Sequence, residues 1–163
     1  MRDGEIVSSP TVSLESILAT LVIDAYEDRY VSISDVPGAY LHAEMPKGKL
    51  ILMRLVGKFV DIMCEVNPEY LKYVRHECGV KVLYLRVLRA IYGCLESALL
   101  WYNLYSTTLA KIGFELNPYD LCVANKIING SQCTIAFYVD DNKIAHKDPA
   151  VNYFVSNTKI IGI

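Results

Sequence analysis

Two closely spaced turn signals in the last third of the chain restrict the fold most strongly. An Asn-Gly pair at 129–130 separates the apolar runs 121–128 and 131–139, which are rich in β-branched residues. Asn-Gly supplies the two positive φ values of a type I′ turn, so these runs predict a β-hairpin. The second run leads into an Asp-Asp pair at 140–141, and a further short segment, "NKIAH", follows at once as the partner strand of a second hairpin. The sequence therefore predicts three consecutive antiparallel strands.

The Asp-Asp pair predicts where the second hairpin turns, because Asp tolerates the left-handed conformation that a tight turn needs. Two turn residues at 140–141 define three facing pairs: Val139 with Asn142, Phe137 with Ile144, and Ile135 with His146. Two like charges ~4 Å apart repel by roughly 4 kcal/mol at an effective dielectric near 20. We therefore expect a positive partner or abundant water at this turn.

Two helices are predicted upstream of these strands. Ser13 is a favourable N-cap for a helix over 14–26, and a second helix over 96–112 ends at Gly113. The first helix should lie against a sheet through apolar residues spaced by three and four: Leu14, Ile17, Leu18, Leu21 and Ala25. The remaining predicted elements are strands at 29–36, 49–55 and 79–87 and a short helix from Asn67-Pro68 to about Arg75. The predicted fold class is α+β, a mainly antiparallel sheet backed by two long helices.

Composition limits the class of protein. The 163 residues are 53% hydrophobic and 21% charged, which suits one globular domain. The apolar run at 17–23 is shorter than the ~20 residues that span a bilayer, so we expect an intracellular protein without a membrane span or signal peptide. The net charge of −2 lacks the excess of Lys and Arg that is typical of nucleic-acid-binding proteins. It counts against that class.

Five cysteines, at 64, 78, 94, 122 and 133, are scattered without a Cys-x-x-Cys spacing. This pattern argues against a disulfide framework and against a four-thiolate zinc site. Cys64, His76 and Cys78 lack a fourth ligand at a useful spacing. We expect reduced thiols, most of them buried.

A third carboxylate gives the Asp-Asp pair a chemical meaning. Asp35 lies at the end of the predicted strand 29–36 and is followed by Val-Pro-Gly, which stops the strand. Carboxylates at the ends of neighbouring strands can converge, and Mg²⁺ is held by few carboxylates together with phosphate oxygens of a substrate. Two such ions ~3.5–4 Å apart catalyse in-line phosphoryl transfer. Asp35 and the pair at 140–141 are therefore candidate metal ligands.

Five ordered blocks carry a resemblance to a known family: "DGEIVSSPTVSLESIL", "DVPGAYLHAEMP", "LRAIYGCLESALLWYNLY", "GFELNPYDLCVANK" and "CTIAFYVDDNK". Together they resemble the reverse transcriptase domain of copia-type LTR retrotransposons, an RNA-directed DNA polymerase. The resemblance implies a polymerase palm with part of the fingers over 1–151 and a divergent C-terminal tail over 152–163. It also implies an intact parent polyprotein that extends beyond this chain at both ends.

The resemblance assigns roles to the acids. Asp35, Asp140 and Asp141 would bind two Mg²⁺ ions, for which Mn²⁺ can substitute, and these would activate a primer 3′-hydroxyl and stabilise the departing pyrophosphate. Because successive strand residues face opposite sides, Asp35 and Asp140 rank above Asp141. Template RNA or DNA, a primer and dNTP are the implied partners, in a cytoplasmic virus-like particle of the parent element, and the sequence leaves the oligomeric state open.

The resemblance also implies a nucleotide site. Tyr40 would pack under the incoming sugar and exclude a 2′-hydroxyl, although on the sequence alone an ordinary core aromatic fits equally well. Further residues would lie beside the nucleotide: Gly93, Glu96 and Ser97. On the residues alone, Glu96 and Ser97 also fit a helix cap.

The sequence leaves three functional interpretations open. The chain is the catalytic core of a reverse transcriptase, or an inactive, decayed or truncated product that keeps the palm fold, or a different palm-like nucleotidyl-transferring enzyme such as a cyclase. The segment 95–99 reads Leu-Glu-Ser-Ala-Leu where many relatives read Lys-Gln-Ala-Pro-Arg, which removes basic contacts. For the polypeptide as it stands, this departure and the missing flanks favour the second interpretation.

Overall fold

The chain divides into two units in a computed structural model that describes residues 8–157. The larger unit comprises Met1–Glu44 and Ala90–Ile163, and the smaller comprises Met45–Arg89. Within the larger unit the helices are α1 (Leu14–Tyr26), α2 (Ala39–His42), α4 (Ser97–Lys111) and α5 (Pro149–Asn157), and the strands are β1 (Tyr30–Asp35), β5 (Glu115–Leu116), β6 (Val123–Ile128), β7 (Ser131–Tyr138) and β8 (Asp141–His146). The smaller unit contains β2 (Leu52–Val56), α3 (Lys58–Val66), a 3-10 helix (Pro68–Tyr73), β3 (Arg75–Glu77) and β4 (Val80–Arg86).

The three strands predicted for the last third of the chain form the centre of a five-stranded sheet. Its order is β1-β8-β7-β6-β5, and every neighbouring pair is antiparallel. Asn129 and Gly130 both have positive φ, at 50° and 78°, as the predicted type I′ turn requires. Mixed helices and antiparallel sheets are thus confirmed as the fold class.

The core lies on one face of this sheet. Alternate residues of β7 and β8 point to this face, and they pack against α4 and α5 in one cluster of buried side chains. Among the cluster's members are Trp101, Tyr105, Leu109, Ile135, Phe137, Ile144, Val151 and Val155. Helix α4 is therefore attached to the strands that lead into and out of the Asp-Asp pair.

The bounds predicted for the first helix are confirmed, but its predicted packing face is wrong. Ser13 caps α1 by accepting a hydrogen bond from the backbone N–H of Ser16 at 3.1 Å. Leu14, Leu18, Leu21 and Ala25 are nevertheless exposed, and the residues that α1 buries are Thr20 and Asp24. The reason is electrostatic: the sheet presents Lys143 to α1, and Asp24 binds its ammonium group at 2.5 Å.

The predicted register of the second hairpin is also wrong. Tyr138 faces Asp141, Phe137 faces Asn142 and Ile135 faces Ile144, so the turn residues are Val139 and Asp140. The observed and predicted registers put the same residues on each face of the sheet, so the apolar pattern could not separate them. A buried hydrogen bond favours the observed one: the Tyr105 hydroxyl donates to Asn142 Oδ1 at 2.6 Å.

The smaller unit is a three-stranded antiparallel sheet in the order β2-β4-β3, with helical segments between β2 and β3. The strands predicted at 49–55 and 79–87 are present with shifted ends. The helix predicted from Asn67-Pro68 to Arg75 is a 3-10 helix that ends at Tyr73, and the Asn67 side chain accepts from the Glu69 N–H at 3.0 Å. Helix α3 and strand β3 were not predicted.

Other expectations concern cysteines, membranes and the chain ends. Within residues 8–157 the five cysteines are free thiols, but only Cys122 and Cys133 are buried. No helix in the described part of the chain has both the length and the apolar character needed to cross a bilayer. Helix α5 spans the predicted boundary at 151–152, while residues 1–7 and 158–163 of the predicted domain and tail lie outside the described residues.

Candidate active site

The three predicted metal ligands lie at one end of two neighbouring strands. Asp35 is the last residue of β1 and pairs directly with Asp141, the first residue of β8. Side chains of directly opposed residues in an antiparallel pair share a face and have Cβ atoms ~4.5–5.5 Å apart. Asp140 occupies the turn beside them, and its carbonyl oxygen accepts a hydrogen bond from the N–H of Val36 at 2.9 Å. The register therefore places Asp141, rather than Asp140, opposite Asp35.

The turn that carries Asp140 has a strained backbone. Val139 has a φ of 54°, and the left-handed region is unfavourable for a β-branched residue. Such a residue costs on the order of 1–3 kcal/mol and persists only where its surroundings hold it. Trp101 does so, because its indole N–H donates to the Val139 carbonyl oxygen at 2.7 Å.

The buried side chain of Asn142 supports the same turn from the core side. The Asn142 amide donates to the Asp140 carbonyl oxygen at 3.1 Å while its own oxygen accepts from the Tyr105 hydroxyl. Burial raises the pKa of Tyr105, so its hydroxyl stays protonated and remains a donor throughout the ordinary pH range. Tyr105 also stacks on Trp101, with ring centroids 5.3 Å apart. Helix α4 thus positions the Asp140 turn through two of its aromatic residues.

Tyr40 lies close to this turn on the short helix α2. The buried side chains of Val36 and Ala39 anchor that helix in the core. Burial, followed by the nearby Tyr92, Asp140 and Tyr138, raises the pKa of the Tyr40 phenol. The predicted sugar-gating tyrosine is therefore near the Asp140 carboxylate, and its aromatic neighbour is Tyr92, with ring centroids 4.6 Å apart.

The remaining predicted nucleotide-binding residues have different surroundings. Gly93 has a φ of 90°, which explains the glycine, and a Cβ there would meet no atom of the described residues within 4 Å. Ser97 is buried, and its hydroxyl donates to the carbonyl oxygen of Ile91 at 2.7 Å and accepts from the Ile91 N–H. Half-buried Glu96 is the N-cap residue of α4, without a capping bond from its side chain. Their contacts with a nucleotide stay predictions.

The carboxylates at the strand ends have the donor chemistry of a magnesium site. Mg²⁺ prefers carboxylate oxygens and is held through one or two of them, with water and phosphate completing the shell. The opposed pair Asp35 and Asp141 meets this requirement. In residues 8–157, however, no three His, Cys, Asp or Glu side chains are grouped closely enough to hold an ion by themselves. Two carboxylates would leave the rest of an ion's coordination shell to other ligands.

Sequence reasoning missed the residues that support the turn. Trp101 and Asn142 donate hydrogen bonds to the turn from the core side. Tyr105 donates to Asn142, and the Tyr92 ring contacts that of Tyr40. Tyr138 pairs with Asp141 and lies on the face of the sheet that carries Asp35 and Asp141. The available signal was the aromatic run of α4 at spacings of three and four, but without the hairpin register it could not be assigned to the turn.

Comparison with known proteins identifies the family of the chain. A family model described as reverse transcriptase (RNA-dependent DNA polymerase) matches residues 2–157. No curated protein and no solved structure gives a significant match. The family match confirms the recognition made from the sequence blocks, which is the copia-type reverse transcriptase. Since the match covers nearly the whole chain, the chain belongs to the reverse transcriptase (RNA-dependent DNA polymerase) family.

Proposed function

We propose that this chain carries the nucleotidyl-transfer site of a retrotransposon reverse transcriptase that uses two divalent metal ions. The observation that supports this most directly is the pairing of Asp35 with Asp141 beside the strained Asp140 turn. A polymerase needs anionic ligands at a fixed position, and strand ends and a supported turn supply them. In the parent element the reaction would use template, primer and dNTP inside a cytoplasmic particle.

The residues at the strand ends would bind the metal ions, and Tyr40 would contact the nucleotide. The three acids would share two divalent ions with substrate phosphate, Asp35 and Asp141 from neighbouring strands and Asp140 from the turn. Bound Mg²⁺ or Mn²⁺ supplies Lewis-acid stabilisation for the attacking 3′-hydroxyl and the leaving pyrophosphate. Tyr40, close to Asp140, would contact the incoming sugar, and Tyr92 would hold the Tyr40 ring in place.

Primer extension tests the proposal. The chain, joined to the flanking segments of its family, should extend an RNA-templated primer with dNTP and Mg²⁺. Asp35→Asn and Asp140→Asn should each lower the rate by at least about a hundredfold, because each removes a carboxylate that stabilises transition-state charge. Glu115→Gln is the matched control, since Glu115 is an exposed carboxylate on β5 away from the turn. Normal extension by either Asp variant would contradict the assignment.

A second candidate is an inactive product that keeps the fold. The segment 95–99 favours it, because the resemblance implies a basic residue in many relatives at the position of Leu95, which is 76% exposed here. The same assay separates the two candidates. Extension by the joined protein supports the polymerase. If the joined protein does not extend the primer but its Leu95→Lys variant does, loss of the basic contact is the cause of the inactivity.

A further inference from the structure

Helix α3 (Lys58–Val66) of the smaller unit exposes an apolar stripe. Phe59, Ile62 and Val66 are 67%, 48% and 75% exposed. Their spacings of three and four place them on one side of the helix. The other side of α3 packs inward through Val60, which is buried. Apolar residues at such spacings on one helix face are the usual contact between two packed helices.

Contacts with strand β4 fix the orientation of α3. Asp61 Oδ1 accepts from the ammonium of Lys81 at 2.6 Å. The N–H of Gly57, directly before α3, donates to the Lys81 carbonyl oxygen at 2.9 Å, and the N–H of Asn67, directly after α3, donates to the Met63 carbonyl oxygen at 3.0 Å. The stripe is therefore held outward on a formed helix, so a partner that binds it does not have to order it first.

The charges at the two ends of α3 oppose its own dipole. Lys58 is the first residue of α3 and Glu65 the last but one, and both are exposed. A helix dipole favours anions at the N-terminus and cations at the C-terminus, so both side chains lie at the unfavourable end. Within the part of the chain that the structure describes, neither has an ion-pair partner within 4 Å. The stability of α3 by itself does not explain this arrangement.

The stripe and the two charges complement themselves when two α3 helices lie antiparallel. Lys58 and Glu65 are two helical turns apart, so they flank the stripe on the same side. In an antiparallel pair the first turn of each helix meets the last turn of the other. Lys58 then lies beside Glu65 of the second copy, and two-fold symmetry repeats the contact. Phe59 meets Val66 of the second copy, and Ile62 lies at the centre.

We propose that α3 mediates a symmetric dimer of this chain in which the two α3 helices pack antiparallel. The partner is a second copy because the charges of α3 are complementary to those of the same helix reversed. A parallel pair would instead place each charge beside its own counterpart. Three apolar side chains per copy make a small contact, so the dimer is weak and reversible. Since α3 belongs to the smaller unit, the contact is independent of the carboxylate turn and goes beyond the proposed function.

Sedimentation equilibrium of the full chain tests the proposal. Over loading concentrations from about 10 to about 500 μM, the mass should rise from 18.3 kDa towards that of a dimer. Ile62→Glu places two carboxylates at the centre of the contact and should weaken association at least about thirtyfold. A chain that stays monomeric at the highest concentration, or an Ile62→Glu variant that associates normally, would overturn the proposal.

Leu88→Glu is the matched control for the added charge. Leu88 is an exposed apolar residue of the same unit outside α3. Its replacement should change the dissociation constant by less than about threefold, as exposed substitutions away from a contact do. Both glutamate variants should keep the thermal unfolding curve of the unchanged chain. An equal loss of association in the two variants would refute α3 as the contact.

Charge reversal tests the antiparallel direction. Lys58→Glu and Glu65→Lys should each weaken association about fivefold or more, because each converts two attractive contacts into repulsive ones. Lys58→Glu also puts the favoured charge at the helix N-terminus, so an unstable α3 would not be the reason. An equimolar mixture of the two variants should recover association, because its contacts again join opposite charges. A parallel pair would show no weakening in either variant. That result, or a mixture that fails to recover, would contradict the antiparallel contact.

Discussion

Lys143→Met probes the attachment of α1 to the sheet that carries the carboxylates. Lys143 lies on the same face of β8 as Asp141, and its ammonium binds Asp24 at 2.5 Å and the Thr20 hydroxyl at 3.1 Å. The side chain of Asp24 is only 4% exposed. Removing one partner of a buried ion pair costs about 3–5 kcal/mol, because the other charge stays buried without compensation.

The structure places this variant at the lower end of that range. Arg29 remains near Asp24, at 3.7 Å, so the carboxylate keeps one positive neighbour. We therefore expect Lys143→Met to lower the free energy of unfolding by about 3 kcal/mol. The change would be measured by urea denaturation of the full chain, followed by circular dichroism.

A double-mutant cycle separates the ion pair from general damage to the interface. Asp24→Leu combined with Lys143→Met replaces both charges by apolar groups and should cost at least about 2 kcal/mol less than the sum of the two single variants. A cost below 1 kcal/mol for Lys143→Met, or strict additivity in the double variant, would refute the idea that this pair directs the packing of α1.

Three other substitutions test neighbouring features. Trp101→Phe removes the donor to the Val139 carbonyl and should lower the free energy of unfolding in urea by about 1–3 kcal/mol, whereas no loss would mean that the bond does not hold the turn. Burial alone would raise the pKa of Asp120, but the hydrogen bonds that its carboxylate accepts, led by that from the Ser13 N–H, outweigh burial and lower the pKa. The contribution of Asp120 to stability is therefore present above the unfolded pKa of about 3.9 and is lost as the pH falls through the lower pKa of the folded state. Asp120→Asn should therefore flatten the acid side of the pH–stability curve, and an unchanged curve would exclude Asp120 as its source. Tyr92→Leu removes the ring that contacts Tyr40 and should lower thermal stability by about 0.5–1.5 kcal/mol, while an unchanged melting temperature would show that the contact is energetically neutral.

Local signals in the sequence predicted most elements of the larger unit, although α2, β5 and α5 were not predicted. Ser13 acts through its side chain on the adjacent turn, and Gly113 and the Asn-Gly pair at 129–130 act through their own backbone, so the bounds of α1 and α4 and the first hairpin followed directly. The convergence of Asp35 with the Asp-Asp pair was predicted from strand ends and block order. These features depend on neighbours along the chain or on one strand pairing.

Features that depend on several distant residues could not be predicted. The buried face of α1 is polar because of Asp24 and its partner Lys143, which are far apart in the sequence. The second hairpin's register differs from the predicted one by a shift that preserves the apolar faces, and only the bond between Tyr105 and Asn142 distinguishes them. Hydrophobic periodicity contains no information on either contact.

The net charge of the chain is an average over two units whose charges have opposite signs. The net value of −2 argued against nucleic acid, yet the unit Met45–Arg89 alone carries nine Lys and Arg against four Asp and Glu, a net charge of +5, which leaves −7 for the rest of the chain. The bounds of this unit follow from its contacts, so the charge could be assigned to it only once the structure was known.

Paramagnetic broadening by Mn²⁺ in the amide NMR spectrum of the chain tests the metal site most directly. The proposed site predicts that substoichiometric Mn²⁺ first broadens the signals of residues 34–36 and 138–142, and that Asp35→Asn with Asp141→Asn abolishes this selectivity. Glu115→Gln should leave the pattern unchanged. Uniform broadening, or selective broadening that persists in the double variant, would contradict the assignment of these carboxylates as the metal ligands of the polymerase.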